Sequence, residues 1–311
     1  MANIICGVDV SSETLDGRIG LTDVVIQVKR TREGIATLAK FCADHGVELV
    51  VMEATGGYEK LPYALLWAAG IGCAIVNPRS VRRFAEAMGF LEKTDRIDAG
   101  VIAEYARAKR LVAQPPASES QERLRALVTR LGQLTQLKVA QANQRRLIDE
   151  PLVLDSIDDM LKEIRRQIRL FEAEIVTLLD SDPLWTRLDQ TFREIKGVAD
   201  KTVARLMADM PEIGTISNKA IAKLAGLAPM AKDSGKRKGR RSIRGGRSQV
   251  RSTLFVVASV VGRHEADFKD FKARLSLAGK SKMVIRVAMA RKLLVRLNAK
   301  ARDVRKELAA A

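Results

Sequence analysis

Asp9 ends the apolar run IICGVDV, Glu53 ends ELVVMEAT, and Asp95 and Asp98 stand three apart in KTDRIDAGVIAEYARAK. Hard divalent cations such as Mg²⁺ or Mn²⁺ prefer carboxylate oxygens. Two such ions about 3.5–4 Å apart activate a nucleophile and stabilise the leaving oxygen of a phosphodiester. Acids at the ends of two neighbouring strands and on one face of a helix can converge into such a cage. Each acid also has a structural use: Asp9 in an Asx turn into SSE, Glu53 at the positive end of the next helix, Asp95 and Asp98 as a helix cap and first-turn acid. The joint position of Asp9 and Glu53 at strand ends favours metal binding.

The second group of reactive or charged residues lies in GLAPMAKDSGKRKGRRSIRGGRSQVRSTL. Lys236, Arg237, Lys238, Arg240, Arg241, Arg244, Arg247 and Arg251 follow one another without an acid between them. Gly235, Gly239, Gly245 and Gly246 supply backbone freedom and close approach. A loop of this kind leading into a helix suits a nucleic-acid phosphate backbone; a solvated basic loop is the plainer alternative. Ser234 stands just before the run. A serine is a weak nucleophile at neutral pH without a base or metal, and neither His45 nor His264 is near it in sequence. By its neighbours alone, Ser234 reads as a turn residue.

The elements that would hold these groups alternate over the first 110 residues. Strands are expected at 3–9, 14–20 and 23–29, a helix at 32–44, a strand at 48–53, a helix at 58–69, a strand at 72–76, and helices at 80–89 and 95–109. Three strands followed by helix and strand in turn is the order of the ribonuclease H fold. LVAQPPASES reads as a linker. Beyond it Leu154, Leu161, Ile168 and Ile175 recur at seven, as do Ile157, Ile164, Phe171 and Leu178, and Leu124, Leu127, Leu131 and Leu134 precede them. This pattern predicts a long helical hairpin that also pairs between subunits, with an intramolecular helix pair as the alternative. REIKGVADKTVARLMADM predicts two helices about a tight turn at Gly197, similar to a helix-hairpin-helix that contacts nucleic-acid backbone without reading sequence. The expected domains are 1–112, 113–183 and 184–311: an α/β catalytic domain, coiled-coil linker helices and an all-α C-terminal domain.

Charge narrows the partner. The 311 residues carry a net charge of +17, and the excess lies in residues 195–311, which hold 28 Lys/Arg against 9 Asp/Glu. A balanced head and a polycationic tail imply a polyanion. A membrane surface fits less well, because the basic residues are spread through a glycine-rich stretch and short helices without an aromatic face. Residues 61–78 are uncharged, but Pro62, Gly70 and Gly72 favour helix, turn and buried strand over a membrane span. Cys6, Cys42 and Cys73 form no CxxC pair; with two histidines in the chain, a structural zinc site is excluded in favour of reduced core cysteines in a cytoplasmic protein. The N-terminus MANIICGVDVSSE has no signal-peptide pattern.

GVDVSSETLD, MEATGGY, KTDRIDA and the GLAP…DSG…RGGR…VRSTL tail together resemble the transposases of the insertion-sequence 110 and 1111 families, also called DEDD transposases and related to the pilin-gene invertase Piv. The resemblance spans nearly the whole chain in order. It implies a RuvC-like domain, a coiled-coil linker and a C-terminal transposase domain with helix-hairpin-helix character. It also implies Mg²⁺ on an acidic quartet, here Asp9, Glu53, Asp95 and Asp98, and a serine that becomes covalently linked to DNA, here Ser234. The tail RRSIRGGRSQVR follows the 1111 branch, so Ser242 and Ser248 remain alternatives. Relatives use a structured noncoding RNA of the element to choose target and donor DNA. They act as multimers, so a homo-oligomer, a dimer assembling to a tetramer, is expected on the bacterial nucleoid. The aromatic content of 4% suits a protein that reads backbone and leaves sequence to base pairing.

Four other functions compete. A RuvC-like nuclease or junction resolvase would use water in place of Ser234. An actin-like ATPase would share GVDVSSETLDG, but no second DxG phosphate loop follows at a suitable distance. A tyrosine recombinase needs a C-terminal tyrosine, whereas the last one is Tyr105. A non-catalytic binder leaves the quartet unexplained.

Overall fold

Strand β1 (Ile5–Val10) is apolar on both faces because it lies at the centre of a five-stranded sheet. It pairs antiparallel with β2 (Thr14–Ile19), which pairs antiparallel with the edge strand β3 (Val25–Lys29). On its other side β1 pairs parallel with β4 (Leu49–Glu53), and β4 parallel with β5 (Cys73–Val76), giving the order β3-β2-β1-β4-β5. A parallel pair needs a crossover, and α1 (Arg32–Asp44) and α2 (Lys60–Ala68) supply the connections into β4 and β5. Helices α3 (Pro78–Ala87) and α4 (Asp95–Lys109) follow. This computed structural model describes residues 4–90, 95–231, 233–235, 239 and 241–310, with the backbone alone for 95–97.

Period-two alternation sorts the strand side chains into two cores. Cys6, Val8 and Val10 join Leu38, Cys42 and Leu66 beneath α1 and α2. Ile5, Leu49 and Val51 join Val81, Ala85, Ile102 and Ala106 beneath α3 and α4. The sheet is therefore covered on both faces, as a parallel core requires. All three cysteines are free and buried. Burial raises the Cys73 thiol to about 12; donation of the Cys6 thiol to Cys42, with burial, raises Cys6 and lowers Cys42.

The chain divides into two compact units, Met1–Ala117 and Ser118–Ala311. The second is mainly helical. Helices α5 (Glu119–Arg145) and α6 (Pro151–Asp180) form a long hairpin, burying Leu124, Leu131 and Leu134 with Leu161, Ile164, Ile168, Ile175 and Leu178 in one core. The heptad seam is used within the chain along this part of its length. At the tip Leu147 and Leu152 are exposed. Then come α7 (Pro183–Arg193), α8 (Asp200–Asp209), α9 (Asn218–Leu224), α10 (Ser248–His264), α11 (Ala266–Leu277) and α12 (Lys282–Ala310). Asn298 of α12 is fully buried and satisfied: it accepts from the Gly214 N–H at 2.9 Å and donates to the Ile216 carbonyl at 3.0 Å and Asn218 Oδ1 at 2.8 Å. These bonds tie α12 to the turn between α8 and α9, with every polar atom of the buried side chain paired.

One element departs from the all-helical expectation. Strands β6 (Pro229–Met230) and β7 (Ser242–Ile243) pair antiparallel at the base of the basic loop. Two residues per strand are too few to leave a periodic signal. Among the described residues, no helix is long and apolar enough to cross a membrane.

Gly7 decides where α4 lies. A Cβ there would stand 1.9 Å from the Ala99 carbonyl oxygen and 2.7 Å from the Ala103 nitrogen, so the helix crosses β1 at backbone contact. Gly7→Ala should force α4 off the sheet and cost about 1–3 kcal/mol by overpacking. A denaturant midpoint equal to that of the unsubstituted protein would show that the crossing is not tight.

Candidate active site

The two-residue alternation that fills the cores also aims Asp9 and Glu53. Both continue the set formed by Ile5, Leu49 and Val51, and both face the layer of α3 and α4. The parallel register pairs Gly7 with Val51 and Val8 with Met52. One step further, Asp9 and Glu53 are neighbours at the carboxyl ends of adjacent strands. Asp98 is in the first turn of α4, which the contact at Gly7 holds over β1. Asp9, Glu53 and Asp98 line one cavity of about 600 Å³. Each has interactions with other groups of the protein; one is the bond from the Val10 N–H to Asp9 Oδ1 at 3.0 Å.

Asp95 begins α4, and its side chain lies outside the described residues. Among the described residues, no group of three or more His, Cys, Asp or Glu is drawn together tightly enough to hold a metal ion. The donor set itself is of the right kind. Three half-buried carboxylates on one cavity offer only hard oxygen atoms, the chemistry that Mg²⁺ and Mn²⁺ select.

Sequence reasoning passed over the opposite wall of this cavity. Arg79, Arg82 and Arg83, all from α3, line it. They occupy the first two turns of a helix capped by Asn77, whose side chain accepts from the Arg79 N–H at 2.9 Å. Cations at that end oppose the helix dipole, where stability alone favours acids. Arg82 is paired with Glu86 at 3.3 Å. The signal was present in PRSVRRF as three cations directly after a buried strand. Glu59 was also missed. It is buried, and its Oε2 accepts from the N–H groups of Thr55 at 3.1 Å and Gly57 at 2.8 Å. That bond pair holds the loop that leaves Glu53, in which Gly56 and Gly57 adopt positive φ.

In the second unit Ser234 is exposed in the loop closed by β6 and β7, and Ser242 is exposed within β7. Ser248 opens α10 and lines a separate cavity of about 540 Å³ with Arg125, Arg205 and Arg247. Beside Ser234, Asp233 receives Arg241 Nη1 on both oxygens at 2.8 Å and the Gly239 N–H at 2.9 Å. The Arg241 guanidinium holds the Asp233 carboxyl below its usual range. Lys236, Arg237, Lys238 and Arg240 lie outside the described residues. Arg244 is exposed.

Besides Arg241, two more of the loop cations are engaged within the protein. Arg247 forks onto both Glu212 oxygens at 2.6 Å and reaches the Asp209 carbonyl at 2.8 Å, while Arg251 donates to the Gly245 carbonyl at 2.6 Å. Gly226 and Gly246 touch backbone to backbone, since a Cβ on Gly246 would be 2.2 Å from the Gly226 nitrogen. The loop end is thus locked against the end of α9.

Residues 6–149 match the DEDD transposase family model of the IS110 group, described as "Transposase". Residues 189–273 match the model described as "Transposase IS116/IS110/IS902 family". The chain is 30% identical over 261 residues to the "Pilin gene-inverting protein" of Moraxella bovis, covering 79% of this chain and 77% of the relative; the Moraxella lacunata protein of that name matches equally. It is 24% identical over 351 residues to the "Insertion element IS110 uncharacterized 43.6 kDa protein" of Streptomyces coelicolor, covering 86% and 85%. An acid-lined α/β unit followed by a basic helical unit, with these relatives, defines an enzyme that recombines DNA. The chain belongs to the IS110 family of transposases.

The Arg247 clamp gives a pH test. Burial pushes the Glu212 carboxyl up, but the Arg247 hydrogen bonds and charge outweigh it, leaving the group below its ordinary range. A lowered carboxylate stabilises the fold above its unfolded-state pKa and loses that contribution as pH falls through the lowered value. The stability difference between the unsubstituted protein and Glu212→Gln should therefore be largest near neutrality and shrink below about pH 4.3, the usual glutamate range. A difference independent of pH in denaturant titrations would remove the ion pair from this role.

Proposed function

We propose that this transposase has a RuvC-like domain of the ribonuclease H fold, a coiled-coil linker that also pairs subunits, and a C-terminal transposase domain, with divisions at 1–112, 113–183 and 184–311. The observation that carries the catalytic reading is the convergence of Asp9, Glu53 and Asp98 on one cavity facing three arginines. The sheet order β3-β2-β1-β4-β5, with the acids at the ends of β1 and β4, supports the fold assignment.

Asp9, Glu53, Asp95 and Asp98 would hold Mg²⁺ or Mn²⁺. Such ions, when bound, polarise the scissile phosphodiester and stabilise its leaving oxygen. Ser234 is the nucleophile: its Oγ forms a bond to phosphorus, the P–O bond to the deoxyribose oxygen breaks, and that hydroxyl leaves with the proton. Attack by the deoxyribose hydroxyl of the partner strand reverses these steps and frees the serine. Its exposure in a glycine-bearing loop next to Asp233 suits a residue that must reach DNA. The enzyme works as a homo-oligomer, a dimer assembling to a tetramer. Arg79 and Arg83 neutralise charge that builds on the phosphoryl oxygens. Lys236, Arg237, Lys238, Arg240, Arg241 and Arg244 track the duplex backbone, with Arg247 and Arg251 fixing the loop base as well as adding charge. Target choice is left to an element-encoded guide RNA, which fits a chain with few aromatic residues. A water-using RuvC-like nuclease is the alternative reading.

A serine ester conserves the phosphodiester energy, so rejoining needs no energy source, whereas water discards it. Ser234→Ala should abolish both the protein–DNA adduct and recombinant DNA, and Asp9→Ala, Glu53→Ala or Asp98→Ala should abolish both while leaving nucleic-acid binding. Recombinant product from Ser234→Ala would reject this nucleophile, in favour of Ser242 or Ser248 if their alanine variants are inactive. Product from all three would reject the serine mechanism.

Arg83→Ala should lower the single-turnover cleavage rate by about 100-fold, as removal of a transition-state donor does, with little change in duplex affinity. An equal loss in affinity would assign Arg83 to ground-state binding instead.

A further inference from the structure

The helical unit contains a second basic constellation that shares no residue with the loop at 236–251. Ser259 and Arg263 of α10, Lys272 and Ser276 of α11, and Lys282 and Arg286 of α12 line a cavity of about 300 Å³. Each helix contributes two residues four apart, hence adjacent on one face. The floor is apolar, from Ile285 and Met289, both buried. Gly262 lets the floor form: a Cβ there would stand 2.2 Å from Met289 Cε, so α10 and α12 meet closely at this point.

Neighbouring cations on α12 are matched with acids. Lys292 and Arg296 share Asp267, Arg296 also reaches Glu265, and Lys300 meets Glu194. None of Arg263, Lys272, Lys282 and Arg286 makes an ion pair among the described residues, and no carboxylate lines the cavity. Arg286 instead lies over the Phe255 ring, 5.6 Å from its centre. Four cations gathered from three helices repel one another until an anion joins them. Ammonium and guanidinium groups interleaved with hydroxyl donors form a receptor for phosphate oxygens. Lys282 also begins α12, whose positive end adds to the same potential.

We propose that this cavity seats a phosphodiester backbone segment of nucleic acid, as an anchoring point separate from both the acidic cavity and the basic loop. The proposal rests on the DNA-recombining function and adds a contact to it. DNA and RNA share the phosphate chemistry, and the test separates them.

Lysine acylation of the full-length, unsubstituted protein, read by mass spectrometry, should show Lys272 and Lys282 protected when a short duplex DNA or an RNA of equal length is bound. The nucleic acid that protects identifies the source. Binding without protection of either lysine overturns this site and leaves the recombinase reading intact; failure of both nucleic acids to bind overturns both. The variant Arg263→Ala/Lys272→Ala/Arg286→Ala, which alters exposed side chains only, should reduce the salt dependence of duplex affinity by about 2.7 in log–log slope, at about 0.9 per lost phosphate contact. Lys162→Ala/Arg165→Ala/Arg169→Ala on α6 should leave the slope unchanged. Equal losses in the two variants would mean diffuse charge and no localised site.

Discussion

The backbone contact between α4 and β1 at Gly7 is the constraint on which the first unit depends. A side chain at that position would lift the helix from the sheet, and with it Asp98. The strands alone bring Asp9 and Glu53 together, because parallel pairing places equivalent strand ends side by side. The helix brings the third acid from a later part of the sequence. A residue with no functional group therefore governs a site built from charged ones, and it does so because backbone contact leaves little room for adjustment.

The second unit solves a different problem, that of keeping an exposed basic loop attached to a rigid base. Its devices are polar and fully satisfied: the Arg247 fork on Glu212, the glycine contact between Gly226 and Gly246, and the buried Asn298 hub. Each fixes a turn or loop against a helix. The loop end gains its position from contacts with the helices beneath it, while Arg241 is tied to Asp233 within the loop itself.

Much of the first unit was legible in the sequence. The helix at 32–44 and the helix at 95–109 match α1 and α4, and the strands fall within two residues of their expected limits, because buried strands and amphipathic helices leave strong periodic signals. The neighbouring positions of Asp9 and Glu53 followed from strand ends alone. What was not legible depended on tertiary contact. Arg79, Arg82 and Arg83 carry no local sign of what they face, and only the fold brings them to the cavity lined by the acids. Nothing local marks Glu59, yet its carboxylate holds the loop between β4 and α2. Arg247 sits in a basic run, and nothing local announces that Glu212, thirty-five positions earlier, will receive it. The heptad seam shows the same limit: periodicity reveals an apolar stripe, while the partner that covers it is decided by chain folding.

The β6–β7 ribbon with its glycine lock has a consequence for engineering. Strands β6 and β7 make a two-strand stem that is pinned by their pairing and by Gly226 against Gly246. Such a stem behaves as a socket. The segment between its strands can be changed in length or charge while the helices beneath keep their packing, so long as the stem, both glycines and Ser234 are retained. Variation in DNA-handling chemistry within this scaffold can thus be confined to a single short cassette.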